Sequence, residues 1–188
     1  MSWFSDNVFV ADVSQTGVVT ARHVGETKVR IGNAECKIVV SPMYSYYDEP
    51  LNDWGCSIDD IRNVYGAPRW SNAYENNEVI NEYIINNGYA PRMAFDFINN
   101  KLRRTVVLFV KNRESQLYKF LEERYQLHYE FEDSEVTVIY YDSYDIKDSK
   151  TSVYVGNYDN EFVIVEYYDE QYWAKLYNKS ANNNNPEE

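Results

Sequence analysis

Cysteine is nearly missing from this chain, and its scarcity removes one class of protein at once. The 188 residues hold two, Cys36 and Cys56. A single possible pairing is too little to staple a disulfide scaffold. Cys36 lies mid-strand in an alternating segment and Cys56 just ahead of a helix, so each has a packing role and separate thiols are expected. Histidine is as scarce, with only His23 and His128. Neither stands at a spacing to cysteine that marks a thiol catalyst. Positive charge is also short: 18 Lys and Arg face 30 Asp and Glu, for a net charge of −12. Nucleic-acid binding needs a basic face, so no nucleic acid is expected as a partner. Electrostatic docking on anionic lipid is disfavoured for the same reason. No apolar run approaches the roughly 20 residues of a membrane helix, so no membrane insertion is expected. Residues 1–20 lack the basic start and apolar core of a secretory signal peptide. No Gly-rich phosphate loop, nucleophile elbow or zinc spacing occurs. No catalytic residue, metal or cofactor is therefore expected.

What is abundant is tyrosine: 19, against 8 Phe and 4 Trp. Tyr suits a pleated, half-buried surface and tolerates water at its polar tip. One reading is an antiparallel sheet with one wet face. The other is an aromatic recognition surface for a glycan, peptide or protein.

The most strongly marked local element spans Asp53 to Pro68. Ser57 is a good N-cap and Asp60 stands at the capping-box position. Cys56 and Ile61 are placed as a hydrophobic staple. Ile58, Ile61, Val64 and Tyr65 form one apolar stripe at helical spacing. Gly66 ends the helix and Pro68 prevents its resumption.

Before this helix, short strands are predicted at 8–11, 18–20, 27–31 and 35–40, with turns at Gly17 and at Gly32-Asn33. After it, 69–77 reads as a polar loop. Strands follow at 79–85, 92–98 and 102–110, with turns at Asn86-Asn87-Gly88 and Asn99-Asn100. A second helix is expected over Arg113–Tyr125, capped at Asn112. Four more strands are expected at 127–131, 135–141, 152–155 and 162–168, with tight turns at Asp133-Ser134 and Asp159-Asn160. Gln171–Tyr177 is amphipathic but short, and 181–188 is a polar tail.

The first forty residues resemble a known family. Trp3-Phe4-Ser5-Asp6-Asn7, Val10-Ala11-Asp12-Val13, Gly17-Val18-Val19-Thr20-Ala21 and Gly25-Glu26-Thr27 with Ile31 follow, in order, motifs of the bacterial immunoglobulin-like group 2 domain. The resemblance implies an extracytoplasmic bacterial protein, at the cell surface, in the periplasm or secreted, with this domain as spacer or adhesion module. It implies no enzymatic activity. Family members carry further strand sequence before the Trp, so the C-terminal part of one such domain is expected here.

The expected fold is mixed: a partial Ig-like β-sandwich over 1–41, then an α+β domain over 42–178 with an antiparallel sheet and two helices packed on one face, then a polar tail over 179–188. The boundary is placed at the Ser41-Pro42 break. The second domain is similar, at the level of fold, to TATA-box-binding-protein-like and β-lactamase-inhibitor-protein-like folds, and fold analogy carries little function.

Three clusters bear on chemistry. Asp142, Asp145 and Asp148 lie on a loop without the turning Gly and closing Glu of a calcium hand, and read as a solvated acidic loop. Arg103 and Arg104 are adjacent strand residues, so they face opposite sides and are expected to pair with acidic cross-strand neighbours. Tyr46, Tyr47, Trp54, Trp70, Tyr74 and Trp173 are the aromatic candidates for recognition, with packing as the competing reading. The expected function is non-catalytic binding to a protein or glycan on a surface. The alternatives are a glycan hydrolase using a carboxylate pair and a pure assembly module.

Overall fold

The capping and stop signals around Ser57 and Gly66 fold as read, whereas Val64 of the expected apolar stripe is 63% exposed and Ile61 alone in the helix is buried. In the computed structural model, which describes residues 1–130 and 136–183, helix α1 spans Ile58–Tyr65. Ser57 accepts from the Asp60 N–H, and the Asp60 carboxylate accepts from the Ser57 N–H at 2.8 Å, a closed capping box. Gly66 follows with φ of 80°, and its N–H reaches the Arg62 carbonyl.

The chain divides into two compact units. The first is Met1–Tyr46 together with Ser115–Gln126. It contains strands β1 (Trp3–Ser5), β2 (Ala11–Val13), β3 (Val19–Ala21), β4 (Gly25–Ile31) and β5 (Ala34–Val40). These form a three-stranded sheet, β1-β4-β5, and a two-stranded one, β2-β3, with antiparallel pairing throughout. The expected strand at 8–11 is replaced by a turn: the Asn7 carbonyl accepts from Val10 and Ala11, and its side chain accepts from Phe9. Extended pairing moves to either side of it. Gly17 has φ of 82°, and a Cβ there would lie 3.1 Å from the Trp3 ring, so the indole rests directly on backbone.

Helix α2 (Glu114–Glu122) follows a 3-10 turn at Lys111–Arg113, in place of a cap at Asn112. Apart from Glu114 it belongs to the first unit, which departs from a boundary at Ser41-Pro42 and from a second domain carrying two helices on one face. The reason is hydrogen bonding. The Glu123 carbonyl accepts from Val24, and its carboxylate accepts from the backbone of Met43 and Tyr44 at 2.9 and 3.0 Å.

The second unit is Tyr47–Glu114 with Leu127–Glu188. Its strands are β6 (Trp70–Ala73), β7 (Glu78–Ile84), β8 (Arg92–Ile98), β9 (Lys101–Val110), β10 (Gln126–Glu130), β11 (Val136–Tyr141), β12 (Thr151–Asn157) and β13 (Phe162–Asp169). They make one eight-stranded sheet in the order β10-β11-β12-β13-β9-β8-β7-β6. Two runs of four consecutive strands thus meet where β13 pairs with β9. Strand β6 occupies part of the expected loop at 69–77. Its residues are all exposed, so no buried apolar face signals it, yet Ser71 and Asn72 pair with Asn81 and Ile80. Asn99 and Asn100 both take positive φ in the two-residue β8–β9 turn.

Helix α3 (Glu170–Asn183) is longer than the short amphipathic segment expected and runs into the expected tail. The Asp169 carboxylate accepts from the Tyr172 N–H at 3.1 Å and caps its start. The expected turn at Asp133-Ser134 and residues 184–188 of the tail lie outside the described residues. Among the described residues the architecture is mostly β, with three α-helices and antiparallel sheets.

In the second unit the register defines two faces. The buried face carries Phe95, Val107, Phe109, Val153, Val165 and Tyr167, all without measurable exposure. Helix α1 covers this face through Tyr65, whose ring lies 5.0 Å from Phe95 and 5.8 Å from Tyr83. The opposite face alternates with it and carries Asp96, Arg104, Val106, Glu166, Tyr168 and Tyr154.

Candidate binding site at the start of helix α3

The site begins with a bulge. Asp96 pairs with Arg104 but Phe97 pairs with Leu102, so Arg103 is an extra residue in β9. A bulge re-aims a side chain, and here it lets Leu102 stay buried while two consecutive arginines diverge. Arg103 forms an ion pair with Asp169 at the end of β13. Its guanidinium also lies 4.2 Å over the Tyr172 ring. Arg104 goes to the other face, 3.1 Å from Asp96 and 3.2 Å from Glu166. Cross-strand acidic pairing on opposite sides is what the adjacent arginines predicted.

Helix α3 starts between these two arginines and separates two concavities. The larger, about 560 Å³, is lined by Trp54, Arg103, Lys150, Asp169, Tyr172 and Lys175, among others. The smaller, about 240 Å³, is lined by Arg104, Ser152, Tyr154, Tyr168, Glu170 and Trp173. Three adjacent pairs divide in the same way: Arg103 and Arg104, Asp169 and Glu170, Tyr172 and Trp173 each send one member to each side. The Trp54 indole N–H donates to Thr151 Oγ1 at 3.0 Å, and the Trp173 indole N–H donates to the Arg103 carbonyl at 3.3 Å. Both indoles are therefore fixed in place. Tyr168 stands edge-on to Tyr154 and to Trp173, at 5.1 and 5.8 Å.

The electrostatics of the smaller concavity are those of a crowded, half-dry network. Burial, with Glu166 beside it, pushes the Tyr168 phenol up to about 12. Burial also raises Tyr141, helped by Tyr154 and Glu170. Asp96 is pushed up to about 6, chiefly by burial and against the pull of Arg104, with Glu78 as a second raising influence. Tyr141 and Asp96 border this network but line neither concavity.

The six aromatic candidates do not form one patch. Trp54 lines the larger concavity and Trp173 the smaller. Tyr47 is 4% exposed, and its hydroxyl is 2.5 Å from that of Tyr167, so it is a core residue and is withdrawn as a contact residue. Tyr46 belongs to the first unit and stacks on Tyr44 at 5.8 Å. Trp70 and Tyr74 are exposed at and just beyond β6, on the far edge of the sheet. Tyr172, Lys150 and Lys175 were not singled out in the sequence. A helix over 170–183 beginning on Asp169 would have joined Tyr172 to Lys175, whereas Lys150 reaches the site only through the tertiary fold.

Other chemistry resolves into structure. Asp142 accepts from Ser149 and from the Lys150 N–H at 2.6 and 2.9 Å, and Asp145 caps a 3-10 turn at Ile146–Asp148. Among the described residues, no three His, Cys, Asp or Glu side chains converge as a metal site. Both thiols are free; Cys36 is exposed, and burial raises the Cys56 thiol to about 11, with Asp53 and Asp60 adding to it. The His23 ring stacks on Phe9 at 3.9 Å and bonds the Phe9 carbonyl, a packing role. Among the described residues no helix is long and apolar enough to cross a membrane.

Comparison with protein-family models and with curated proteins finds no match. Among solved structures, the chain is similar to an extracellular protein containing an SCP domain from Bacillus anthracis str. Ames, at 13% identity and a TM-score of 0.34. The match covers 71% of this chain and 51% of that one, so the chain spans about half the length of that structure.

Proposed function

We propose that this is a non-catalytic, extracytoplasmic bacterial protein that binds a glycan or a peptide through its second unit. In this reading the first unit is an Ig-like spacer or adhesion module of the bacterial group 2 kind. Its two small sheets and the seating of the Trp3 indole on Gly17 suit that resemblance. The observation that carries the binding role is the pair of concavities at the start of α3. Each joins a fixed indole, a tyrosine and an arginine in a small recess. Aromatic faces with a few placed polar groups are how small ligand sites combine affinity with orientation.

The hydrolase alternative has one supporting observation, the raised carboxyl of Asp96 near Glu78. A general acid must reach its substrate, and Asp96 is 5% exposed and paired with Arg104, so the binding reading is preferred. A glycan array and a pull-down from bacterial envelope extract test it. Binding lost in Trp54→Ala or Trp173→Ala supports it. Retention of DNA or heparin near physiological ionic strength is not expected for a chain of net charge −12. Glycoside or peptide hydrolysis abolished by changing one carboxylate would refute it.

A further inference from the structure

The larger concavity has a charge opposite to that of the chain. Three cations, Arg103, Lys150 and Lys175, line it, although the whole chain carries only 18 Lys and Arg against 30 Asp and Glu. Arg103 is already neutralised by Asp169 and held on Tyr172. Lys150 and Lys175 are exposed, and neither makes an ion pair among the described residues. The one acid left without such a pair is Asp53, which is also exposed. The balance in the recess is therefore positive by one charge.

Its remaining lining is just as selective. Asn52 and Gln171 contribute amides, which both donate and accept. Trp54 and Tyr172 contribute aromatic surface. No aliphatic side chain lines it, so an apolar peptide side chain has no pocket to fill. Phosphate is a poor match, because no glycine-rich backbone cradle is present and the one guanidinium is engaged. A sugar ring fits each feature: its C–H face stacks on an aromatic ring, and its hydroxyls meet the amides and Asp53. The volume of about 560 Å³ lies within the usual range for small-ligand sites.

We propose that this concavity binds an acidic sugar, with its carboxylate held by Lys150 and Lys175 and its ring against Trp54 or Tyr172. This rests on the binding role proposed above and names the ligand class. A single carboxylate is compatible with the acidic chain where a polyanion is not, because charges beyond a Debye length of about 8 Å are largely screened and the recess itself is positive by one charge.

The test is an NMR titration of the full, isotope-labelled chain with sodium galacturonate and digalacturonate, with galactose as the neutral arm and an acetylated glutamate peptide as the carboxylate arm. The expected result is saturable shifts of the Trp54 indole N–H and the Gln171 and Tyr172 backbone N–H groups, at a Kd of about 1 mM or tighter. Galactose should bind at least roughly tenfold more weakly. The double variant Lys150→Met, Lys175→Met alters two exposed side chains and should keep the fold. It should lose roughly tenfold in galacturonate affinity without losing galactose affinity. Equal affinity for galactose and galacturonate would overturn the proposal, as would equal binding of the glutamate peptide. So would shifts confined to Tyr154 and Trp173. Binding of neutral glycans or peptides at Trp54 with no preference for acid overturns this inference alone. Absence of binding by every arm here, and on the array, removes the binding role as well.

Discussion

Two rows of residues, one position apart along the same strands, cross the eight-stranded sheet. Asn81, Phe95, Thr105, Tyr167 and Val153 stand in register on one face, and every one of them is fully buried. Ile80, Asp96, Arg104, Tyr168 and Ser152 stand in register on the other. The first row meets the Tyr65 ring of α1 at Phe95. From Asp96 onward the second is a chain of charges and hydroxyls, and Ser152 bonds Glu170 at the start of α3. The same backbone ladder thus supports a packed interior and a polar network. Removal from water stabilises the apolar members of the first, Phe95, Tyr167 and Val153, and costs free energy at the buried polar Asn81 and Thr105. In the second, each buried group depends on a specific partner. The two faces should therefore fail in different ways.

The largest effect is expected on the buried face. Phe95→Ala leaves a cavity beside Tyr65 and Tyr83 and should cost about 3–5 kcal/mol. Denaturant unfolding checks it, and a cost under about 1 kcal/mol would break the assignment of this face as the core. On the other face, Arg104→Met should cost about 2 kcal/mol, because it strands Asp96 and Glu166 near one another without their cation. The figure lies below that for a fully buried pair because the Arg104 side chain keeps 28% of its exposure. The Asp96→Asn, Arg104→Met double variant should recover part of the loss, whereas no polar substitution should recover Phe95→Ala.

How much of this was legible depended on whether a residue's partner was local. Ser57 and Asp60 are three residues apart, so the capping box was readable directly. The apolar content of 92–98 and 102–110, with the Asn99-Asn100 turn between them, placed Phe95, Val107 and Phe109 on strands. The pleat gave the expectation that Arg103 and Arg104 face opposite sides, and in the structure the bulge sets their directions. Strand β6 was hidden because an edge strand with both faces exposed carries no apolar period. The bulge at Arg103 was hidden because it exists only relative to β8. The site at α3 was hidden twice over. Its residues come from segments near 54, 103, 150 and 172, and the helix that joins them begins on a cap, Asp169, which also serves Arg103. Tyr47 and Trp54 looked alike as aromatics near a helix, and only the tertiary partner of each, Tyr167 or Thr151, separates core from cleft.

A smaller effect separates the faces by pH. The folded pKa of Asp96 is raised from 3.8 to about 6, so the native state holds this proton more tightly than the unfolded chain. Stability from this group is full below about pH 4 and declines as pH rises towards 6. Asp96→Asn removes that titration. The stability difference between variant and parent should therefore move in the variant's favour across this window, then level off above it. Urea midpoints at several pH values measure the difference. A difference that is flat from pH 4 to 7, or that moves in the parent's favour, would show that Asp96 is not a buried carboxyl held in a dry network.

The smallest effect is expected where the polar face meets the far edge. Trp70 pairs with Glu82 across β6 and β7 and keeps 46% of its exposure. Four strand spacings separate β6 from β13, about 19 Å. Nothing at Trp70 has the fixed indole N–H of Trp54 or Trp173 among the hydrogen bonds described. Trp70→Ala should change stability by no more than about 0.5 kcal/mol, the range of an ordinary surface substitution. It should also leave binding at the start of α3 unchanged. The same two measurements on Trp54→Ala provide the contrast, with loss of the Thr151 hydrogen bond and of ligand affinity together. If Trp70→Ala instead costs more than about 1.5 kcal/mol, the edge of this face is packed. If it abolishes ligand binding while Trp54→Ala does not, the recognition surface lies along β6 and the α3 site is wrong.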